Sequence, residues 1–550
     1  MSEASEPFAP PKGPANGTAN FTDDSAWAKK FLLSFDGGGI RGLSSLFILK
    51  ELMVQIQKIE MEADPNHATH SFYPLEERAP IVNAKPIANE KRKKSLSFPL
   101  SPRISPSDKQ PERNGPEYKY LPCHYFDFIV GTSTGGLIAM MLGRLRMSVG
   151  HCIEEYITLG AEVFGKPRTF CARSPLYWNR GKYHSGNVEK VVQHVSEKYT
   201  PSVQMEGCDR ITFDCPETIC KTWVPQKISH PWTEAYVFSM VFATQETELK
   251  PYIFRSYDHQ LKTTSASHCN PGVANTDPLY VVGRATSAAP GYFNPLPINE
   301  KIFLDGGLVA NNPTHYAYHE VRLLQIERPP KFVLSIGTGK KNKRSFKRLK
   351  RFFPHWAPFI SLELNNKIAE SESAHDQMLQ HLDQMREQLD QPPTWKPFEY
   401  ARLNVTTDFG LGWMKLDEWK RKASSKPRAP DVQPTAQEFV RHREYSREKR
   451  SKHHDTVEFI EIRTERYLKQ EDVQSQVRKL AGALVENRRQ RSKTWKWEHF
   501  ATGDRWQCPI RRDDGCNGDR FDTQKELERH LSERHPERPH RATRECVIPY

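Results

Sequence analysis

Two stretches of the chain repeat the same order of apolar and polar positions. Residues 30–35 form a short apolar run, a glycine-rich turn follows, and residues 43–52 then carry apolar side chains at helical spacing. Residues 125–130, the turn after them and residues 137–142 repeat this order. Strand-like runs that alternate with helix-like runs predict an α/β fold. Other short apolar runs predict further strands at residues 236–242, 252–257 and 302–304.

The first turn, Asp36-Gly37-Gly38-Gly39-Ile40-Arg41-Gly42, contains three consecutive glycines. Such a turn exposes backbone N–H groups and lets an anion approach without a Cβ in the way, as an oxyanion hole requires. The same glycines match the dinucleotide pattern G-x-G-x-x-G, with Glu60 or Glu62 at the distance of a ribose-binding carboxylate, so that alternative stays open. A P-loop is excluded, because Leu43 stands where that motif requires lysine.

The second turn, Gly131-Thr132-Ser133-Thr134-Gly135-Gly136, contains the pattern G-x-S-x-G between a strand-like and a helix-like run. Small residues at Gly131 and Gly135 allow a strand and a helix to meet at a sharp elbow that projects the serine hydroxyl. This context indicates a nucleophile at Ser133. The alternative is a tight connection between strand and helix that has no chemical role.

A third site lies at Asp305-Gly306-Gly307, directly after the predicted strand at residues 302–304. Ligands of open α/β sheets bind near the carboxyl ends of strands, and a carboxylate shielded from water becomes more basic. Asp305 is therefore a candidate proton acceptor for Ser133, whereas by itself it would be only a turn former.

The order D-G-G-G-I-R-G, G-T-S-T-G-G and D-G-G resembles the patatin-like phospholipase family, which includes the calcium-independent phospholipases A2. The resemblance covers residues 30–340 and implies a three-layer α/β/α core with a mainly parallel central sheet. Three more stretches agree with it: ATSAAPGYF at residues 285–293, GLVANNP at residues 307–313 and SIGTG at residues 335–339.

The resemblance also implies roles for individual residues. Ser133 would be the nucleophile and Asp305 its base in a two-residue dyad. Arg41 would occupy the family's basic position, where it would steady the loop or bind lipid phosphate. The backbone amides of the oxyanion hole would come from Gly37, Gly38 and Gly39.

The implied reaction is phospholipase A-type cleavage of a fatty-acyl ester of a glycerolipid through an acyl-enzyme intermediate, with no cofactor for catalysis. The competing chemistry is a Ser-His-Asp esterase, which would need a histidine after the aspartate. Candidates for that role are His315, His319 and His375.

Composition predicts extended segments beside this core. The chain has 550 residues, of which 37% are hydrophobic, 27% are charged and 41 are proline, so two to three structural units are expected. Residues 1–29 are predicted to be a disordered tail without a secretory signal, and residues 62–120 a disordered insertion. The insertion carries the basic quartet Lys91–Lys94, which is compatible with a solvated loop, a nuclear address or a lipid headgroup contact.

Residues 341–500 are predicted to be a basic helical extension with linkers, including helices within residues 361–390 and 455–492. The basic residues 340–353 with interleaved Phe and Leu fit either peripheral contact with an anionic membrane or a solvated hinge. The cysteines show no disulfide-like spacing, and no apolar run reaches the ~20 residues of a membrane span, which together predict a cytoplasmic protein. Ordinary thiols are expected at Cys208, Cys215 and Cys220, which have no fourth ligand at zinc spacing.

Residues 501–540 resemble a small ββα C2H2-type zinc finger. Two cysteines precede a predicted helix with two histidines one turn apart, and Phe521 and Leu527 supply its small core. Seven residues separate the cysteines, where two to four are usual. The predicted ligands of a structural zinc ion are Cys508, Cys516, His530 and His535.

The net charge of +13 suits either nucleic acid or anionic phospholipid. The finger therefore leaves a second class of function open, an adaptor that binds nucleic acid or protein and whose hydrolase domain is inactive.

Overall fold

The computed structural model of this chain describes residues 23–75, 115–168, 181–199, 238–257, 259, 269–270, 272, 274–325, 328–340, 371–392, 394–420, 455–508, 520–521, 524–536 and 547–549. Among the helices in these ranges, none combines the length and the hydropathy needed to cross a bilayer. Several predictions concern residues outside the described ranges: Lys91–Lys94, Cys208, Cys215, Cys220, Cys516 and residues 341–353.

A mostly parallel sheet of eight strands lies at the centre of the described structure. Its strand order is β5-β6-β3-β2-β1-β7-β8, with β4 paired to β3. The pairs β1–β2, β1–β7, β2–β3 and β7–β8 are parallel, and the pairs that β3 makes with β4 and β6 are antiparallel. The strands are β1 (Phe31–Phe35), β2 (Phe128–Thr132), β3 (Phe238–Gln245), β4 (Lys250–Arg255), β5 (Leu296–Ile298), β6 (Lys301–Asp305), β7 (Phe332–Ile336) and β8 (Glu399–Leu403).

Helices cover both faces of this sheet. Side chains alternate along a strand, so Leu33 and Phe35 of β1 join one apolar cluster and Leu32 joins another. The predicted three-layer α/β/α arrangement is thus confirmed. The helices are α1 (Asp23–Ala28), α2 (Gly42–Ala63), α3 (Pro116–Lys119), α4 (Thr134–Ala139), α5 (Val149–Phe164), α6 (Ser185–Tyr199), α7 (Leu279–Thr286), α8 (Gly307–Ala310), α9 (Thr314–Leu324), α10 (Glu372–Gln388), α11 (Thr456–Leu468), α12 (Glu471–Arg491), α13 (Lys496–Thr502) and α14 (Gln524–Arg534).

The helices after residue 455, in the segment predicted to be a helical extension, pack on this core. Helices α11 and α12 contact α2, whose first eight residues, 42–49, are all buried. The guanidinium of Arg488 donates to Glu60 at 2.8 Å, and that of Arg491 donates to Asp127 at 3.0 Å. All four of these side chains are buried, so each ion pair satisfies charges that would otherwise be costly inside the protein.

The predicted disordered tail, residues 1–29, contains the helix α1. The side chain of Trp27 is only 3% exposed, because its ring packs edge-on against Phe500 and Arg491 lies over its face. Its indole N–H donates to Thr494 at 2.9 Å. Helix α1 is held in place by contacts with residues more than 460 positions later in the chain. Local composition contains no sign of these contacts.

Both ends of the predicted insertion, residues 62–120, are likewise part of the fold. Residues 64–75 and 115–120 are described, and the Ser71 hydroxyl contacts a ring nitrogen of His124 at 2.7 Å. Phe72 is buried in an apolar cluster with Trp497 and Phe500 of α13, and Tyr120 is buried in the largest core cluster.

Candidate active site

The register of the sheet brings the three predicted loops together. Phe35 pairs with Gly131, so the glycine-rich turn and the serine turn leave neighbouring strands at the same level. Asp305 ends β6, which runs antiparallel to β3. Strand β3 continues beyond Phe242, the partner of Thr132, and Asp305 pairs with the next residue of β3. Asp305 therefore lies only one residue level further along the sheet than Thr132, the residue before Ser133.

Ser133 occupies a strained backbone position between β2 and α4. Its φ of 55° and ψ of −126° place a non-glycine residue at positive φ, as at a nucleophile elbow. The Ser133 N–H donates to the Thr286 hydroxyl at 2.7 Å, and that hydroxyl donates to the carbonyl of Phe242. The side chain is 8% exposed.

The two elbow glycines are required for steric reasons. A Cβ at Gly135 would lie 2.6 Å from the carbonyl oxygens of both Phe35 and Asp36, and a Cβ at Gly131 would overlap the carbonyl of Gly135. A larger residue at position 131 would separate β2 from α4, and a larger residue at position 135 would separate α4 from the end of β1.

Asp305 accepts a hydrogen bond from Ser133. The distance from Ser133 Oγ to Asp305 Oδ2 is 2.7 Å, and the other carboxylate oxygen accepts the Gly307 N–H at 2.7 Å. Burial raises the pKa of Asp305 from 3.8 to about 6, while the bonds from Ser133 and Gly307 act in the opposite direction. A carboxylate with this pKa is ionised at neutral pH and is more basic than an exposed aspartate.

The glycine-rich turn offers two N–H groups to this site. The Gly37 N–H donates to the carbonyl of Asn311 at 2.9 Å and is therefore not available to a substrate. The Gly38 N–H makes only a long bond, 3.3 Å, to the hydroxyl of Thr134. The Gly39 N–H has no partner among the described residues. Of the three glycines predicted to form the oxyanion hole, Gly38 and Gly39 line the pocket together with Ser133.

Arg41 is buried behind the turn and does not line the pocket. It is 2% exposed, and its Nε donates to the carbonyl of Gly38 at 3.4 Å. Burial lowers its pKa to about 10, which leaves it charged at neutral pH. Of the two roles predicted for Arg41, this placement favours support of the loop over direct contact with substrate phosphate.

A pocket opens beside the serine and the aspartate. It encloses about 510 Å³ of empty space, part of which is open to solvent. Ser133, Asp305 and the glycine amides form its polar end, and the remainder is largely apolar. The apolar lining includes Leu137, Leu159, Val163, Phe164, Val188 and Phe293.

The three histidines of the alternative triad lie elsewhere. His315 and His319 contact each other through their ring nitrogens at 3.1 Å on α9, and His375 contacts the hydroxyl of Tyr400 at 2.8 Å. Among the residues that line the pocket in the described part of the chain, there is no histidine. The group that accepts the hydrogen bond from Ser133 is the carboxylate of Asp305.

A family model for patatin-like phospholipase matches residues 118–318. This chain carries a patatin-like phospholipase domain. The matched residues include both members of the Ser133–Asp305 pair, whereas the glycine-rich turn precedes them in sequence.

Curated relatives of the patatin-like domain include three named phospholipases. Calcium-independent phospholipase A2-gamma of Oryctolagus cuniculus is 29% identical over 41% of this chain and 25% of its own length. Phospholipase A I of Arabidopsis thaliana is 26% identical over 40% of this chain and 18% of its own length. The cGAMP-activated phospholipase of Pseudomonas aeruginosa is 26% identical over 39% of this chain and 52% of its own length. The chain thus spans about a quarter of the length of the rabbit protein.

Several residues around the patatin-like site had no role assigned from sequence. Thr286, Asn311 and Thr338 hold the two turns in place, and all three lie in stretches that agreed with the family pattern. Arg402 binds Asp36 through both carboxylate oxygens, at 2.7 and 3.2 Å. It lies in β8, beyond the predicted boundary at residue 340, so no motif pointed to it.

The predicted zinc finger contains a Cys/His cluster. The ligand atoms of Cys508, His530 and His535 lie within 4.8 Å of one another, and Cys508 Sγ is 3.6 Å from His535 Nε2. Trp506, Cys508, Phe521, Leu527 and Leu531 form its apolar core. Its hairpin pairs β9 (Asp504–Gln507) with β10 (Arg520–Phe521), and β11 (Val547–Pro549), beyond the predicted end at residue 540, adds a third strand on β9.

Proposed function

We propose that this chain is a serine-dependent lipid acyl hydrolase of phospholipase A type. The observation that carries the proposal is the 2.7 Å hydrogen bond from Ser133 to a buried aspartate at the polar end of an apolar pocket. The patatin-like domain and the names of its relatives support the same class of reaction.

In this reaction the Ser133 oxygen attacks the acyl carbonyl carbon, and Asp305 accepts the hydroxyl proton. The N–H groups of Gly38 and Gly39 stabilise the oxyanion that forms on the carbonyl oxygen. Asp305 returns the proton to the leaving alcohol and leaves an acyl group on Ser133. Water activated by Asp305 then releases the fatty acid and restores the serine.

The pocket favours a fatty-acyl substrate. Its lining beyond the polar end is largely aliphatic and aromatic, so it would cover an acyl chain and exclude water. Such a chain is presented at a lipid–water interface, so we propose a phospholipid substrate taken from a membrane surface.

Fatty acid release from phospholipid vesicles tests the proposal. Wild type should release free fatty acid, and Ser133→Ala should reduce the rate by at least about a thousandfold because the nucleophile is lost. Ser287→Ala is the matched control. It removes a hydroxyl that lines the same pocket but has no carboxylate partner, so the rate should fall far less than in Ser133→Ala. Equal release by wild type and Ser133→Ala would refute the proposal.

We also propose that the C-terminal finger binds a structural zinc ion. Tetrahedral zinc with ordinary Zn–S and Zn–N distances separates a sulfur from a nitrogen ligand by about 3.6 Å, which equals the Cys508–His535 distance in this structure. Cys508 is buried in the small core of the finger and His535 is also buried. Cys516 would be the fourth ligand on sequence grounds.

Metal analysis of the purified protein checks this site. We expect about one zinc per chain, retained on dialysis, and its loss in Cys508→Ser. Cys269→Ser is the control, because it alters another buried thiol outside the finger. Equal zinc content in wild type and Cys508→Ser would contradict the assignment.

Contact of the finger with nucleic acid remains an alternative on the basis of charge. The Trp506 indole of the hairpin donates to Glu498 of α13 at 2.9 Å, so part of the hairpin surface already contacts the helix that precedes it. Salt-dependent binding of duplex DNA by the full chain, compared with Cys508→Ser, tests that alternative.

A further inference from the structure

Residues 411–420, here named the strap, form a wall of the pocket that lies outside the family match. The strap follows β8 and includes a short 3-10 turn at Leu411–Trp413. Two of its residues, Leu416 and Asp417, border the pocket together with Ser133. Neither residue belongs to a motif of the patatin-like domain, which matches residues 118–318.

The strap is bonded directly to the glycine-rich turn. The N–H of Ile40 donates to the carbonyl of Leu416 at 2.8 Å. A Cβ at Gly39 would overlap that same carbonyl, and Gly39 also has a φ of +56°. Gly39 must therefore be a glycine because of Leu416, 377 positions later in the chain. The strap in turn fixes the position of Gly39, a proposed oxyanion donor.

Leu416 also contacts the loop that carries Asp305. Its side chain packs with Leu304, Leu308 and Val309, which flank the aspartate turn. Leu416 is only partly buried by these contacts and faces the pocket. It therefore lies between the glycine-rich turn and the turn that follows Asp305, at the wall of the pocket that Ser133 also lines.

Two further contacts hold the strap in place. The buried carboxylate of Asp417 forms an ion pair with Lys182 and accepts the Tyr183 hydroxyl at 2.8 Å. The Trp419 ring packs over Gly160 and Ile40. These contacts leave little room for the strap to move away when a larger side chain is placed at position 416.

We propose that the strap is the acyl-binding wall of this hydrolase and that Leu416 determines which chain lengths it accepts. The proposal rests on the proposed function, since it names the residue that selects the fatty-acyl chain at the same site. A bulkier side chain at position 416 blocks long chains but leaves room for short ones, and a smaller side chain removes apolar contact from the long chain.

Hydrolysis of p-nitrophenyl esters with acyl chains of 4 to 16 carbons measures the effect. Leu416→Trp should lower kcat/KM for the palmitoyl ester by about tenfold or more and for the butyryl ester by less than about threefold. Leu416→Ala should reduce the preference for the longer chain by about fourfold for each methylene that loses contact. Leu389→Trp makes the same change at an exposed leucine outside the pocket and should keep the wild-type profile.

A binding measurement separates this proposal from the hydrolase proposal. In a Ser133→Ala background, palmitate should bind at least about tenfold more weakly when Leu416→Trp is added, as measured by displacement of a fluorescent fatty acid. If wild type releases no fatty acid while palmitate binding still depends on Leu416, the hydrolase proposal fails and the acyl wall stands. If wild type hydrolyses the esters, and Leu416→Trp and Leu416→Ala both keep its chain-length profile and palmitate affinity, the strap proposal is overturned.

Discussion

Replacing Asp305 by asparagine should abolish hydrolysis and stabilise the protein. The substitution keeps the shape of the side chain and an oxygen that accepts the Gly307 N–H, but removes the charge and the proton acceptor. The dyad then lacks its base. The free energy of unfolding should rise, because an ionised carboxylate is no longer held in a site that opposes its charge.

The size of this stabilisation follows from the pKa. Burial raises the pKa of Asp305 from 3.8 to about 6, so the folded state binds a proton more strongly than the unfolded state between these values. Stability contributed by this group therefore decreases as pH rises through that window. The shift corresponds to a cost of about 3 kcal/mol above pH 7 and about half of that near pH 5.

Urea unfolding followed by tryptophan fluorescence measures this difference. Asp305→Asn should exceed wild type in free energy of unfolding by about 3 kcal/mol at pH 7.5, and the difference should shrink toward zero near pH 4. Asp383→Asn, at an exposed carboxylate on α10, serves as the control and should show no comparable gain. An Asp305→Asn protein that is less stable than wild type at pH 7.5 would refute the assignment of Asp305 as a buried, destabilised base.

Three further predictions concern the same framework. The kcat/KM of wild type should fall about tenfold per pH unit below pH 6, because protonated Asp305 accepts no proton; a flat profile from pH 7 to pH 5 would contradict this. Gly135→Ala should lower the free energy of unfolding by about 1–3 kcal/mol and remove most of the activity, because its Cβ would press on the carbonyls at the end of β1. Urea unfolding measures the first effect and ester hydrolysis the second. Arg491→Met should lower the free energy of unfolding by about 3 kcal/mol, because buried Asp127 loses the guanidinium at 3.0 Å and keeps only Lys30, at 3.7 Å, and the Phe31 N–H; an unchanged urea midpoint would show that α12 is dispensable for the core.

The sequence predicted the Ser133–Asp305 pair because each residue lies in a local motif. Ser133 follows an apolar strand and precedes a helix, and Asp305 ends a strand, so short patterns were sufficient to select them. Their 2.7 Å contact depends on the longer strand β3 between them, which positions an antiparallel β6. No local pattern indicates the direction of β6.

The remaining elements of the site depend on contacts that no local pattern contains. Arg402 reaches Asp36 across 366 positions, and Leu416 reaches Ile40 from a segment with little periodicity. The involvement of Gly37 in a bond to Asn311 also follows from tertiary packing, so sequence could not separate it from Gly38 and Gly39. Composition predicted a disordered tail at residues 1–29, yet Trp27 within it packs against Phe500 of the C-terminal helices.

Covalent labelling with an alkyl fluorophosphonate tests the central claim most directly, because the reagent reacts with a serine activated as a nucleophile and supported by an oxyanion hole. Mass spectrometry of the labelled full-length protein and its peptides should show one phosphonyl adduct, on Ser133, which is absent in Ser133→Ala and forms much more slowly in Asp305→Asn. An adduct on another residue, or labelling of Ser133→Ala at the wild-type rate, would contradict the claim that Ser133, Asp305 and the glycine amides form one acyl-transfer site.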